Sequence, residues 1–183
     1  MSGIVDGRIV MPDLPAGQVL PVITAPHPVL STPCLEVDPR DPAVCQLAAD
    51  LLATQRVSPG CVGLAANQVG INSRVFSLDV SAHPKARVTF GEYVLVNARI
   101  EAASQNAKGR EGCMSVPDFT GDVKRAGKIV VRGWLPGSGE EVVVETDAFE
   151  ARALQHEIDH LEGALFLDRV AGAHAVFPRK TYL

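Results

Sequence analysis

The sequence predicts an α+β fold: mainly antiparallel sheets packed around a central helix that carries a HExxH pattern, with a second helix nearer the N-terminus. Three observations point there. Four stretches alternate apolar and polar residues in the strand period, one after another. The strongest helical pattern comes late, after all of them. No strand–helix–strand unit recurs of the kind that builds a parallel sheet. The 183 residues suit one domain, at roughly 100–200 residues per domain. The reading is an extended N-terminal arm over residues 1–20 and a single domain over 21–183.

In chain order, residues 21–40 mix apolar residues with proline, which suits an irregular surface segment. Asp41-Pro42 supplies a helix cap and a first-turn proline. Val44, Leu47, Ala48, Leu51 and Leu52 follow at helical spacing, and Ser58-Pro59-Gly60 ends that helix. Strands are expected at Val75 to Val80, Val88 to Val96, Lys128 to Val131 and Glu141 to Glu145, the last two joined by a turn at Pro136 to Gly139. The late helix runs from about Ala148 to Glu162. Asp147 and Glu150 read as its capping box and Gly163 as its C′ glycine. Leu154, Ile158 and Leu161 share one side; Phe149, Ala153, His156, Glu157 and His160 lie opposite. Such a helix is buried on both sides.

Composition excludes several classes. Seventeen basic against 21 acidic residues give a net charge of −4, so no basic excess exists to hold a nucleic-acid backbone or an anionic membrane. No apolar run approaches the roughly 18 residues of a membrane helix. The first 20 residues lack the basic start and apolar stretch of a secretory signal. A cytoplasmic location is therefore expected. Cys34, Cys45, Cys61 and Cys113 match no CxxC pair, and free thiols are expected.

The chemistry lies in three segments. His156-Glu157-Ile158-Asp159-His160 places two imidazoles one turn apart on one face, able to grip one metal ion. Glu157 between them is placed to handle a proton of an attacking water. The bland alternative is a solvated face with two incidental histidines. Two ligands leave a catalytic site incomplete. Position 166 is Phe, so HExxHxxGxxH is not met, and little chain remains downstream for a later Glu. The best upstream candidate is Cys113 in Arg110-Glu111-Gly112-Cys113-Met114-Ser115-Val116-Pro117, read as a tight exposed turn; an ordinary buried thiol is the equal alternative. In Cys61-Val62-Gly63-Leu64-Ala65-Ala66-Asn67-Gln68-Val69-Gly70, small residues admit a ligand to the backbone and Gln68 offers an amide donor. A loop packed tightly on the core fits the same residues.

Together and in this order, the three segments resemble the peptide deformylase family, which carries GxGLAAxQ, EGCxS and HExxH with Asp in the fourth place. The resemblance runs from about Val22 to Val170 and includes Ala25-Pro26-His27-Pro28-Val29-Leu30. It implies Cys113, His156 and His160 as metal ligands, Glu157 as general base and acid, and Gln68 with the Met114 N–H as oxyanion donors. It implies one divalent metal, Fe(II) physiologically, with Zn, Ni or Co able to occupy the site. The substrate it implies is N-formylmethionine at the start of nascent polypeptides, with release of formate and a transient ribosome contact. Val62, Gly63, Phe149 and Ala153 are candidates for the substrate pocket, with the stem of Arg152. Glu111, Asp159 and Arg125 are candidates to orient the ligands.

Two positions depart from the family pattern. Cys61 replaces the first glycine of GxGLAAxQ, which strains the chain if that residue needs φ > 0, and otherwise narrows the cleft or adds an oxidisable thiol. Thr120 stands where many relatives have an arginine that reaches the peptide. The short C-terminus leaves no room for a long docking helix, and Arg179 and Lys180 are weak substitutes. The competing functions are a small HExxH zinc endopeptidase and a catalytically silent metal-binding protein.

Overall fold

The computed structural model describes residues 3–180. Residues 1, 2 and 181–183, the outer ends of the expected arm and domain, lie outside the described residues. The arm is not simply extended: β1 (Ile4–Val5) pairs antiparallel with β2 (Arg8–Ile9). Asp6 and Gly7 turn between them with positive φ. The reason is local, since Asp-Gly favours a tight hairpin, and Ile9 at its end enters the core.

Helix α1 (Pro42–Val57) starts on Asp41, whose carboxylate accepts from the Ala43 N–H at 2.8 Å. Strand β3 (Gly63–Ala65) leads into a short 3₁₀ turn at Ala66–Val69, so the small-residue segment is structured rather than a loop. Next come β4 (Val75–Leu78), β5 (Tyr93–Cys113), β6 (Val116–Trp134) and β7 (Glu141–Asp147). Helix α2 (Ala148–Leu161) follows directly, and β8 (Val176–Pro178) is the last strand among the described residues. The main sheet runs β3-β4-β5-β6-β7, and β8 joins β6 beside Phe119–Gly121. Every ladder in this sheet is antiparallel. The fold is α+β.

Strand alternation divides the core. Val75, Val94 and Val96 join Leu47, Ala48 and Leu51 of α1 in one cluster. Phe76, Leu78, Tyr93 and Leu95 join Leu154, Ile158 and Leu161 of α2 in another. Successive residues of a strand face opposite ways, so the central strands are covered by a helix on each side. That is why all four residues of β4 are buried.

The structure corrects the predicted strand limits. β5 begins at Tyr93, not Val88, and continues to Cys113, and β6 extends far beyond Lys128 to Val131. Residues 99–108 of β5 are exposed on both faces and carry no apolar alternation. The predicted capping box is also absent. Asp147 makes no side-chain cap bond, because Ala148 takes φ of 50° and turns the chain sharply from β7 into α2. Glu150 points into the core instead. It accepts from the Phe90 N–H at 3.1 Å, the Tyr93 hydroxyl at 3.3 Å and the Thr146 hydroxyl at 2.8 Å. Burial raises its pKa.

Replacing Glu150 with Ala leaves buried donors on Phe90 and Tyr93 without their acceptor. Each such group costs about 1–3 kcal/mol. The Glu150→Ala variant is expected to lower the urea unfolding free energy by at least about 2 kcal/mol; a change under 0.5 kcal/mol would show that water replaces the carboxylate.

Candidate metal centre

The centre forms where the β5–β6 turn meets α2. His156 and His160 lie on consecutive turns of α2, with ring centroids 5.0 Å apart. Gly163, with φ of 76°, ends this helix in the left-handed conformation glycine accepts freely. Cys113 is the last residue of β5, opposite Val116 across Met114 and Ser115. It is 6% exposed, not an exposed turn residue as its neighbours predicted, because α2 packs over the hairpin end.

One ligand atom from each of Cys113, His156 and His160 lies within 4.8 Å of the others. The Cys113 Sγ is 3.4 Å from His160 Nε2. Two ligands of one tetrahedral zinc-type ion, at about 2.3 Å for sulfur and about 2.0–2.1 Å for nitrogen, stand about 3.6 Å apart. The residues therefore fit a divalent ion. Burial opposes a Cys113 thiolate, but His160 and His156 outweigh it and hold the thiol well below its ordinary range. Among the described residues this is the one group of three or more such ligands.

Behind the ligands lies a buried ionic network. The Arg125 guanidinium grips both oxygens of Glu111 at 2.9 Å and donates to Asp159 at 2.5 Å. Glu111 Oε1 is 2.9 Å from His156 Nδ1, which leaves Nε2 of that ring for the ligand position. Glu111 also accepts from Arg152 at 2.7 Å, and Asp159 from Arg169 at 2.8 and 3.1 Å. Burial pushes the Glu111 carboxyl up, but bonds from Arg125 and His156 win and hold it far below the carboxylate range. Asp159 is likewise lowered against burial by Arg169 and Arg125.

A cleft of about 360 Å³ opens beside the ligands. Val62, Gly63, Gln68, Cys113, Met114, Phe149, Arg152, Ala153, His156 and Glu157 all line it. Of the predicted site residues only His160 does not, and it lies behind at 1% exposure. Glu157 Oε2 is buried without a hydrogen-bond partner. Burial pushes this carboxyl up to about 7, against the pull of His156 and His160. Gly63 makes room for it: a Cβ there would meet Glu157 Oε1 at 2.6 Å. Gln68 is fixed at both ends of its amide. Its Oε1 accepts from the Ala65 N–H at 3.0 Å, and its Nε2 faces Ser115 Oγ at 3.1 Å and Cys113 Sγ at 3.4 Å.

Cys61 is not in the positive-φ region, so it carries no backbone strain. Its thiol donates to the Gly63 carbonyl at 3.2 Å. Burial raises its pKa to about 12, and its side chain lines the cleft beside Val62 and Gly63. Arg152 offers more than a methylene stem, since its guanidinium also bonds the Val123 and Ala107 carbonyls. Three residues escaped the sequence reading. Ser115 stood within a quoted motif, but nothing there showed its link to Gln68. His83 stacks flat on Phe149, with centroids 3.5 Å apart, and lines the cleft. Arg169 lies ten residues beyond Asp159, outside any motif.

A buried cysteine and two imidazoles beside a carboxylate, at an open cleft, make a candidate metal site. A family model described as polypeptide deformylase matches residues 19–175. The chain is 39% identical over 152 residues to a peptide deformylase of Syntrophobacter fumaroxidans, covering 83% of this chain and 86% of that one. It is 42% identical over 151 residues to peptide deformylase 1 of Vibrio vulnificus, covering 82% and 85%. The solved deformylase of Ehrlichia chaffeensis in complex with actinonin superposes with a TM-score of 0.77 at 33% identity, covering 84% and 89%. That of Thermotoga maritima gives 0.76 at 29% identity, covering 85% and 99%. The chain belongs to the polypeptide deformylase family. It is a hydrolase that removes formyl groups from nascent peptides, and the family implies a divalent metal. No described helix is long and apolar enough to cross a membrane.

Removing Arg125 leaves the buried Glu111 with Arg152 and the buried Asp159 with Arg169 as their remaining guanidinium partners, so both carboxylates lose part of their compensation. Breaking a buried pair costs about 3–5 kcal/mol, and loss of a ligand's supporting group typically weakens metal affinity 10–100-fold. Arg125→Met is expected to show both, by urea unfolding and metal titration at pH 7. The two lowered carboxyls stabilise the wild type fully above their unfolded pKa near 4 and lose that contribution as pH falls through their folded values. Wild-type stability is therefore expected to drop in acid below about pH 4, and the variant's stability to change less over the same window. Parallel acid curves would show that the network does not carry the linkage.

Proposed function

We propose that this chain hydrolyses the formyl amide of N-formylmethionyl peptides with Cys113, His156 and His160 holding a divalent ion and Glu157 moving the proton. The observation that supports it most is the buried, unpartnered Glu157 oxygen beside the three converging ligands. A thiolate with two imidazoles suits a borderline-soft divalent metal, and we assign Fe(II) as the native ion, with Zn, Ni or Co able to take its place. Such an ion, when bound, acidifies water and polarises a carbonyl oxygen.

The chain's own residues do the rest. Glu157 accepts a proton from the attacking water as the water's oxygen bonds the formyl carbon. The formyl oxygen gains charge and accepts from Gln68 Nε2 and the Met114 N–H, donors fixed before reaction begins. Ala65 and Ser115 hold the Gln68 amide so that it does not reorient as charge develops. Glu157 then passes its proton to the leaving nitrogen, and formate separates from a free N-terminal amine. A carboxyl with pKa near neutrality suits a group that must both take and return a proton. Val62, Phe149 and Ala153 receive the apolar methionine side chain. Glu111 fixes the His156 ring. The setting is the cytoplasm, with transient contact to the ribosome where nascent chains emerge.

The Glu157→Gln variant is expected to keep one metal per chain and the wild-type fold, yet lose about 10²–10⁴ in kcat for formate release from formyl-Met-Ala-Ser. Acetyl-Met-Ala-Ser is expected to react at least about 10² more slowly than the formyl peptide in the wild type, since a methyl displaces the carbonyl from its two donors. A loss below tenfold in the variant would remove Glu157 from proton transfer, and equal rates on the two peptides would favour a general amidase or endopeptidase.

A further inference from the structure

We propose that His83 is a specificity-determining residue: stacked flat on Phe149, it fixes the ring that ends the apolar wall of the cleft, and so limits which N-terminal side chains the pocket accepts. The inference rests on the deformylase reading of the cleft.

Helix α2 lays out that wall. Phe149, Ala153 and His156 follow at i, i+4 and i+7 on one face, and all three line the cleft. At about 1.5 Å per residue, Phe149 stands about 10 Å along the helix axis from His156. The wall therefore starts at a candidate metal ligand and ends at the Phe149 ring. His83 comes from the segment between β4 and β5 and lines the same cleft. Its ring lies parallel to that of Phe149, with centroids 3.5 Å apart and planes within 4°.

His83 is itself held in place. Ser81, Ala82, Pro84 and Lys85 around it are exposed, whereas His83 is half-buried. Its N–H donates to the Val80 carbonyl at 2.9 Å, and its carbonyl accepts from the Ala86 N–H at 3.0 Å. Its Nδ1 accepts from the Lys85 N–H at 3.2 Å. Val80 is buried in the core that α2 shares, and Ala86 and Phe90 pack against it. Glu150, the neighbour of Phe149 on α2, accepts from the Phe90 N–H at 3.1 Å. Two consecutive residues of α2 thus clasp the segment at two points, one at the cleft and one in the core. Burial, with Lys85 adding to it, lowers the His83 pKa, so a neutral imidazole lies on the phenyl ring. A ring covered in this way gains the stability of an aromatic pair and cannot swing aside for a bulkier guest. A fixed apolar wall discriminates side chains by size.

The test measures formate release from formyl-Met-Ala-Ser and formyl-Phe-Ala-Ser at neutral pH. The wild type is expected to favour the methionine peptide in kcat/KM. His83→Ala is expected to lower that ratio about three- to tenfold, chiefly through KM, as the loss of one aromatic pair allows. His83→Gln, similar in size but without a ring, is expected to do the same. His83→Phe is expected to keep the ratio within about twofold of the wild type, because the stack survives. Metal content and urea unfolding are followed in each variant. A wild type that does not favour methionine overturns the assignment, as does an unchanged ratio in His83→Ala and His83→Gln, with both peptides slowed alike. A His83→Phe variant that behaves as His83→Ala overturns it too. Absence of formate release from formyl-Met-Ala-Ser by the wild type would overturn the deformylase reading itself, so the two failures are distinguishable.

Discussion

The bond between Arg125 and Glu111 is the constraint on which the rest of the site depends. It joins the two strands of one hairpin at positions that are not register partners: Glu111 near the end of β5 and Arg125 on β6. Arg125 reaches past this hairpin to Asp159 on α2, while Glu111 reaches the same helix at His156 and Arg152. Hairpin and helix are thus stitched by charges that are almost wholly buried. Such a network is weak evidence for stability, because desolvation consumes most of the attraction. Its use here is positional. It fixes the His156 ring with Nδ1 turned away, and it sets the height of α2 against the strand end that carries Cys113.

The same logic extends to the cleft. Asn67 donates to the His160 carbonyl at 2.7 Å, so the 3₁₀ turn after β3 is locked to the helix one turn beyond His156. Gln68 follows directly, with its amide aimed at Cys113 and Ser115. Gly63, the first residue of β3, lets that strand lie close against Glu157. Three segments distant in sequence therefore meet with little freedom, as electrostatic stabilisation of a developing oxyanion requires.

What the sequence made legible were the residues whose chemistry is written in local spacing. The i, i+4 histidines, the glutamate between them and the small residues around Gln68 needed no knowledge of the fold. The class of fold followed from strands in series before a two-sided helix. The rest depended on contacts that no local pattern records. Residues 99–108 of β5 are exposed on both faces, so the strand period there was invisible. Asp147 and Glu150 had capping-box spacing, but the acceptor was claimed by Tyr93 and the Phe90 N–H, some 60 residues away in the chain. The bond from the Cys61 thiol to the Gly63 carbonyl is likewise written in no local pattern. Arg179 is brought to the cleft only by the β6–β8 ladder.

The central claim is that deformylation here depends on one ion held by Cys113, His156 and His160. The most direct measurement follows formate release from formyl-Met-Ala-Ser while metal content is determined on the same samples, through chelation and anaerobic reloading with Fe(II) or Ni(II). The account predicts that activity falls in proportion as one ion per chain is removed and returns in proportion as one is restored. Undiminished turnover in metal-free protein, with the fold intact, would contradict it.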